Sequence, residues 1–167
     1  MSRGLRHLFL TAWIAAAVLA FSGPAVAADD GAGARFHVVT SLGPAPGDPT
    51  ACGVFAIYQV GSAQETQIGS GSWAGRECWS LGFGGFSIHG DATLTAPDGA
   101  QLSVDYDETG GFPVDSVVSL SGTFTITGGT GRFSGSTGGG TISGANNVFT
   151  GVASDTLEGT IRLGNGA

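Results

Sequence analysis

Beyond its N-terminal segment the chain places apolar side chains at every second position. In "FSIHGDATLTA" (86–96), Phe86, Ile88, Ala92 and Leu94 share one side, while Ser87, His89, Asp91, Thr93 and Thr95 share the other. In "AQLSVDYDE" (100–108), Leu102, Val104 and Tyr106 oppose Ser103, Asp105 and Asp107. In "VVSLSGTFTIT" (117–127), Val118, Leu120, Phe124 and Ile126 oppose Ser119, Ser121, Thr123, Thr125 and Thr127. A period of two is that of a β-strand, whose successive side chains point to opposite faces. "RFHVVT", "GVFAIYQV", "TQIGSGSW", "GRFSGSTGGGTISG" and "VFTGVASDTLEGTIRL" carry the same alternation. They are rich in the residues that strands favour, and none repeats at helical spacing.

Short turn sequences separate these segments: "PDG" (97–99), "ETGG" (108–111), "GGTG" (128–131) and "ANN" (145–147). Turns of this length join antiparallel neighbours. About eight strands follow. A two-sheet sandwich has the same count, but no long return connection of the Greek-key kind is visible. The expectation is therefore all-β: a single antiparallel up-and-down barrel that leaves no exposed edges. Its apolar face would line the interior and its Thr/Ser face the outside. "WAGRECWSLGFGGF" (73–86) is expected to be a loop at one end.

The N-terminus does not fit this pattern. Arg3, Arg6 and His7 precede an almost unbroken apolar run from Leu8 to Phe21, and Ala25-Val26-Ala27 has the small-x-small form of a cleavage site. These are the parts of a secretory signal peptide. The run falls short of a bilayer span, and Gly23-Pro24 breaks it. The expected organisation is a signal peptide at 1–27 and one barrel domain at 28–167. The mature protein would be secreted, extracellular or periplasmic, with no further segment suited to membrane insertion.

Charge narrows the partners. Two of the six basic residues lie in the leader, and the chain contains no lysine. Arg35, Arg76, Arg132 and Arg162 face thirteen acids, all after Ala27. Such a surface repels nucleic-acid backbones and anionic lipid. The two cysteines, Cys52 and Cys78, would meet an oxidising compartment after export, so a bridge between them is expected.

The glycine-rich run "ITGGTGRFSGSTGGGTISG" (126–144) invites a nucleotide-binding reading. It lacks the lysine of a phosphate loop and no helix follows it, and no βαβ unit supports a dinucleotide fingerprint. Glycine here serves a turn needing positive φ near Gly131 and close strand packing beyond it. The run also resembles a known motif. "GGTGRFSGSTGGG" is similar to the G-G-T-G-x-F-x-x-A-R-G signature of dirigent proteins, and the wider segment to bacterial secreted proteins with an allene oxide cyclase-like barrel. Gly128, Gly129, Thr130, Gly131, Phe133 and Gly138 match, whereas Ser136 and Thr137 stand where that signature has Ala-Arg. The resemblance implies an eight-stranded antiparallel barrel, apolar substrates bound inside it, and assembly into dimers or trimers.

Chemistry is sparse. His37 and His89 are not in metal-binding spacing, no G-x-S-x-G elbow is present, and no cofactor motif appears. No catalytic residues and no metal ligands are nominated. His89 and Asp91 share a strand face as solvated neighbours. Asp105, Asp107 and Glu108 are expected to be charges that discourage edge pairing. Aromatic rings offer more. Trp73 and Trp79 flank the cysteine-stapled region, where they would cap a barrel mouth, above an interior lined by Phe86, Leu94, Tyr106, Leu120 and Phe124.

Three readings remain: a binder of a small apolar molecule, an isomerase or cyclase, and an interaction protein whose barrel is filled by its own side chains. The second needs ionisable groups inside, and the alternation places almost none there.

Overall fold

A computed structural model describes residues 33–52, 55–65 and 69–164. The signal peptide expected at 1–27, with its cleavage site, lies outside the described residues. Eight strands form: β1 (Ala34–Ala45), β2 (Phe55–Glu65), β3 (Gly69–Gly82), β4 (Gly85–Thr95), β5 (Gln101–Gly110), β6 (Val117–Gly129), β7 (Thr137–Asn147) and β8 (Ala153–Arg162). Each pairs antiparallel with the next, and β8 returns to β1, closing an up-and-down barrel. Every backbone edge is thereby satisfied by a neighbour, which is the physical reason to close a sheet of this size.

Several boundaries differ from the sequence expectation. "WAGRECWS" is not a loop: Trp73 to Ser80 pair residue by residue with Leu94 to Ser87, so the segment is continuous ladder. Two adjacent charges, Arg76 and Glu77, disguise a strand in which one side chain faces out and the other in. β1 continues through "SLGPA" to Ala45, in register with β2. "ETGG" does not turn. Glu108 to Gly110 extend β5, and the chain reverses over 111–116, where Asp115 and Ser116 take positive φ. "ANN" likewise belongs to β7. The "GGTG" reversal stands where expected, with Gly131 at φ 56°, but the next residues form a single 3-10 turn (Gly131–Phe133) before β7 begins at Thr137.

Cys52 and Cys78 are within bonding distance, their Cα atoms 5.6 Å apart. Cys78 lies on the outer face of β3, so the bridge fastens the β1–β2 connection to the barrel wall.

The interior is mostly apolar, as the alternation requires. Phe36, Val38, Trp73, Leu94, Leu102 and Phe124 belong to one large buried cluster that includes inward residues of all eight strands. Phe36 meets Phe124 at 5.5 Å between ring centroids, and Trp73 meets Tyr106 at 6.2 Å. A second, smaller cluster of Trp79, Ile88, Val118 and Leu120, joined by Ile57 and Phe86, occupies the other end.

Candidate functional site

Between the two clusters the interior turns polar. Inward positions on β3 run Trp73, Gly75, Glu77, Trp79, so Glu77 divides the large cluster from the small one. On β5 the same face continues from Tyr106 to Glu108, and on β8 Asp155 lies between Ala153 and Leu157. All three carboxyl groups are buried, at 2–6 % exposure. Thr40 of β1, Gln59 of β2 and Asn146 of β7 are buried as well. The expectation that the interior holds almost no ionisable groups is therefore corrected. Glu108 was assigned to a turn and Glu77 to a loop, and both are strand residues on the core face.

Neighbouring residues shape this layer. Tyr106 lies flat over Gly90, where a Cβ would come within 2.2 Å of the ring. Its hydroxyl donates to Glu77 Oε1 at 3.2 Å, while Trp79 Nε1 donates to Glu77 Oε2 at 2.8 Å. Asp155 lies against Gly144, whose Cβ would stand 2.0 Å from its Oδ1. Thr40 stands in for a ladder partner: the Asp155 amide donates to Thr40 Oγ1 at 2.9 Å. The other polar groups are less well provided for. Glu108 Oε1 and both side-chain amide atoms of Gln59 and of Asn146 are buried without a hydrogen-bond partner.

The electrostatics follow from burial. Removing a carboxylate from water favours its neutral form, and a second negative charge nearby adds to the effect. Burial, then the charges of Asp155 and Glu77, push Glu108 up to about 8. Burial and the charge of Glu77 push Asp155 to about 7, against a smaller opposing effect from Thr40. Burial raises Glu77 too, opposed by the bonds from Trp79 and Tyr106. Tyr106 rises well above its usual value through burial first and the surrounding acids second. Near neutral pH the layer holds protons that exposed carboxylates would have lost.

No buried base balances the acids among the described residues. Arg35, Arg132 and Arg162 are exposed, and Arg76 faces outward, its Nε donating to Asp91 Oδ1 at 3.0 Å. His89 is also outside, with Nδ1 2.9 Å from Asp107 Oδ1 rather than beside Asp91. Asp105 and Asp107 are exposed on the same outer face, and since the barrel is closed they guard no edge. Among the described residues no three His, Cys, Asp or Glu side chains are arranged to hold a metal ion.

Above the polar layer the barrel end opens into a cleft of ≈ 320 Å³. Phe55, Ile57, Trp79, Leu81, Phe86 and Val148 supply apolar walls, and Asn146 contributes to the lining with its unpaired carboxamide. Trp79 and Phe86 meet edge to face at 5.3 Å. Phe83, Phe112, Val114 and Phe149, on the connections at this end, are exposed and extend the apolar rim.

The residues expected to meet a ligand thus divide. Trp79 and Phe86 line the cleft, and Leu120 packs in the small cluster beneath it. Trp73, Leu94 and Phe124 are packed in the large cluster, and Tyr106 lies at its boundary with the acids. Glu77, Asp155 and Asn146 were not singled out from sequence, and Glu108 was read only as an edge charge running into a turn. A signal existed for two of them. Extending the phase of Leu102, Val104 and Tyr106 by two residues reaches Glu108, and Ala153 and Leu157 bracket Asp155 at the same period. No family model, no curated protein and no solved structure matches the chain.

Proposed function

We propose that this is an exported barrel protein that binds a small, largely apolar molecule in the cleft at the Trp79 end, with one polar group of the ligand turned toward Asn146. The observation that carries this reading is a buried carboxamide, unpaired at both nitrogen and oxygen, in the lining of a cleft whose walls are mostly apolar. Burying an amide without partners costs about 1–3 kcal/mol, and a ligand that supplies a donor or an acceptor recovers it. Ligand sites of this kind combine apolar walls with a few placed polar groups. The similarity of "GGTGRFSGSTGGG" to the dirigent signature supports the same reading, since that family holds apolar substrates inside its barrels.

Glu108 and Asp155 favour a second reading, an isomerase or cyclase. Carboxyl groups that keep a proton near neutral pH are suited to donate it to a bound substrate and take it back. The alternative of a wholly filled interaction module has support only in the half of the barrel packed around Trp73.

Tryptophan fluorescence of the mature protein, titrated with fatty acids, terpenoids and phenolic monomers, tests the binding reading. A saturable change with at least one class is expected, lost in Trp79→Ala. No saturable change with any class contradicts it.

A further inference from the structure

We propose that the ligand is an amine, a protonated ammonium group on an apolar body, whose nitrogen enters the carboxyl layer beneath Asn146. The inference rests on the cleft being a binding site and goes further by naming the head group. Every strand bears on the argument. β3 contributes Glu77, β5 contributes Tyr106 and Glu108, and β8 contributes Asp155; β1, β2 and β7 contribute the neutral groups Thr40, Gln59 and Asn146. Facing the layer from β4 and β6 are Gly90, Ile88 and Gly122, which carry no charge.

Three acids therefore share a buried space with no cation among the described residues. Buried charges are ordinarily paired, because an isolated one costs several kcal/mol. The layer borders the cleft through two residues that line it. Trp79 walls the cleft and donates to Glu77, and Asp155 pairs with Gly144, two residues from Asn146 on the same strand face. An anionic head would oppose ionisation of these acids, an alcohol would give them no counter-charge, and an ammonium would let one of them ionise against it while supplying three donors. The wall rings of Trp79, Phe86 and Phe55 suit an aromatic body.

The charge balance is explicit. One protonated carboxyl, Glu108 or Asp155, gives its proton to solvent as the ammonium enters, and the ammonium keeps all its own protons. The site's net charge is unchanged, and a carboxylate–ammonium pair replaces a neutral acid. Binding that releases a proton tightens with rising pH, by up to about tenfold per unit, while the carboxyl is still protonated in the free protein and the amine remains charged.

The test is isothermal titration calorimetry of the mature protein with naphthylethylamine, naphthylethanol and naphthylacetate, in buffers of different ionisation enthalpy. The amine is expected to bind at least tenfold more tightly than the alcohol and the acetate weakest. The amine's heat should depend on buffer, and its affinity should rise between pH 5 and pH 8. In the double variant Glu108→Gln/Asp155→Asn the amine's advantage over the alcohol should collapse and the buffer dependence vanish. Both changes are neutral isosteres of groups that the fold already favours in the neutral form, and a melting curve checks that the variant folds. Equal affinities for amine and alcohol, or no proton release, would overturn the amine assignment and leave an apolar cleft. Binding by none of the three would remove the cleft itself as a site.

Discussion

The two ends of the barrel interior are made from the same alternation and yet do opposite things. Around Trp73 the inward positions are mostly apolar and pack into one large buried cluster. Around Trp79 they are fewer, the layer beneath them is carboxyl and carboxamide, and the end stands open. Eight strands enclose an interior that side chains can fill or leave with room for one small ligand. Here a single barrel takes both courses, one at each end. One tryptophan supports the fold, and the other, six residues along the same strand, forms the wall of a cleft.

The most forceful way to break this comparison is to truncate the two rings. Trp73→Ala removes a 2 %-exposed side chain from the filled half. It should cost about 3–5 kcal/mol, seen as a fall of roughly 10 °C or more in Tm. Trp79→Ala should cost less, because its ring borders open space, while abolishing ligand response. Equal destabilisation by the two would mean that the ends are packed alike.

A pH series sharpens the comparison, because the carboxyls that burial pushes up, Glu108 and Asp155, lie in the polar layer. Glu108 moves from 4.5 to about 8 on folding and Asp155 from 3.8 to about 7. The folded state holds these protons more tightly than the unfolded state. Their contribution is therefore complete below the unfolded values and is lost as pH rises through about 7 and 8. Stability should fall between pH 5 and pH 8, by up to about 1.4 kcal/mol per pH unit for each group. Glu108→Gln should flatten the slope. Denaturant melts across that range measure it, and a stability that rises over the same interval contradicts the protonated layer.

The smallest effect concerns the shape of the layer. Gly90→Ala places a methyl group where the Tyr106 ring lies, 2.2 Å from its Cζ. The ring must shift, at a cost of about 1–3 kcal/mol, and its hydroxyl should lose Glu77. Thermal melts and the near-ultraviolet signal of Tyr106 report both. An unchanged melting curve would mean that the ring has room to move.

How much of this was legible in the chain follows the same division. The filled half was readable, because Leu102, Val104, Phe124 and Ile126 announce their face by period alone. The polar half was not, because an acid on an apolar phase looks like the end of a strand. Glu108 stands before Thr109-Gly110-Gly111, and turn chemistry outweighed two more residues of alternation. Glu77 stands beside Arg76, and paired charges suggested a solvent-facing loop. Only closure against β2 and β4 turns Glu77 inward. The barrel itself was legible for a simpler reason: about eight strands, short links and no crossover leave few other ways to satisfy every edge.

The most direct test of the divided interior is to watch both indole N–H resonances by two-dimensional NMR while an apolar probe such as naphthylethylamine is added. Among the described residues there are two tryptophans, one in each half. Trp79 Nε1 donates to Glu77 beneath the cleft, whereas Trp73 Nε1 is buried without a partner. A saturable shift of the Trp79 signal with the Trp73 signal unmoved is the predicted result. Movement of Trp73 instead, or of neither, would contradict a barrel that is packed at one end and receptive at the other.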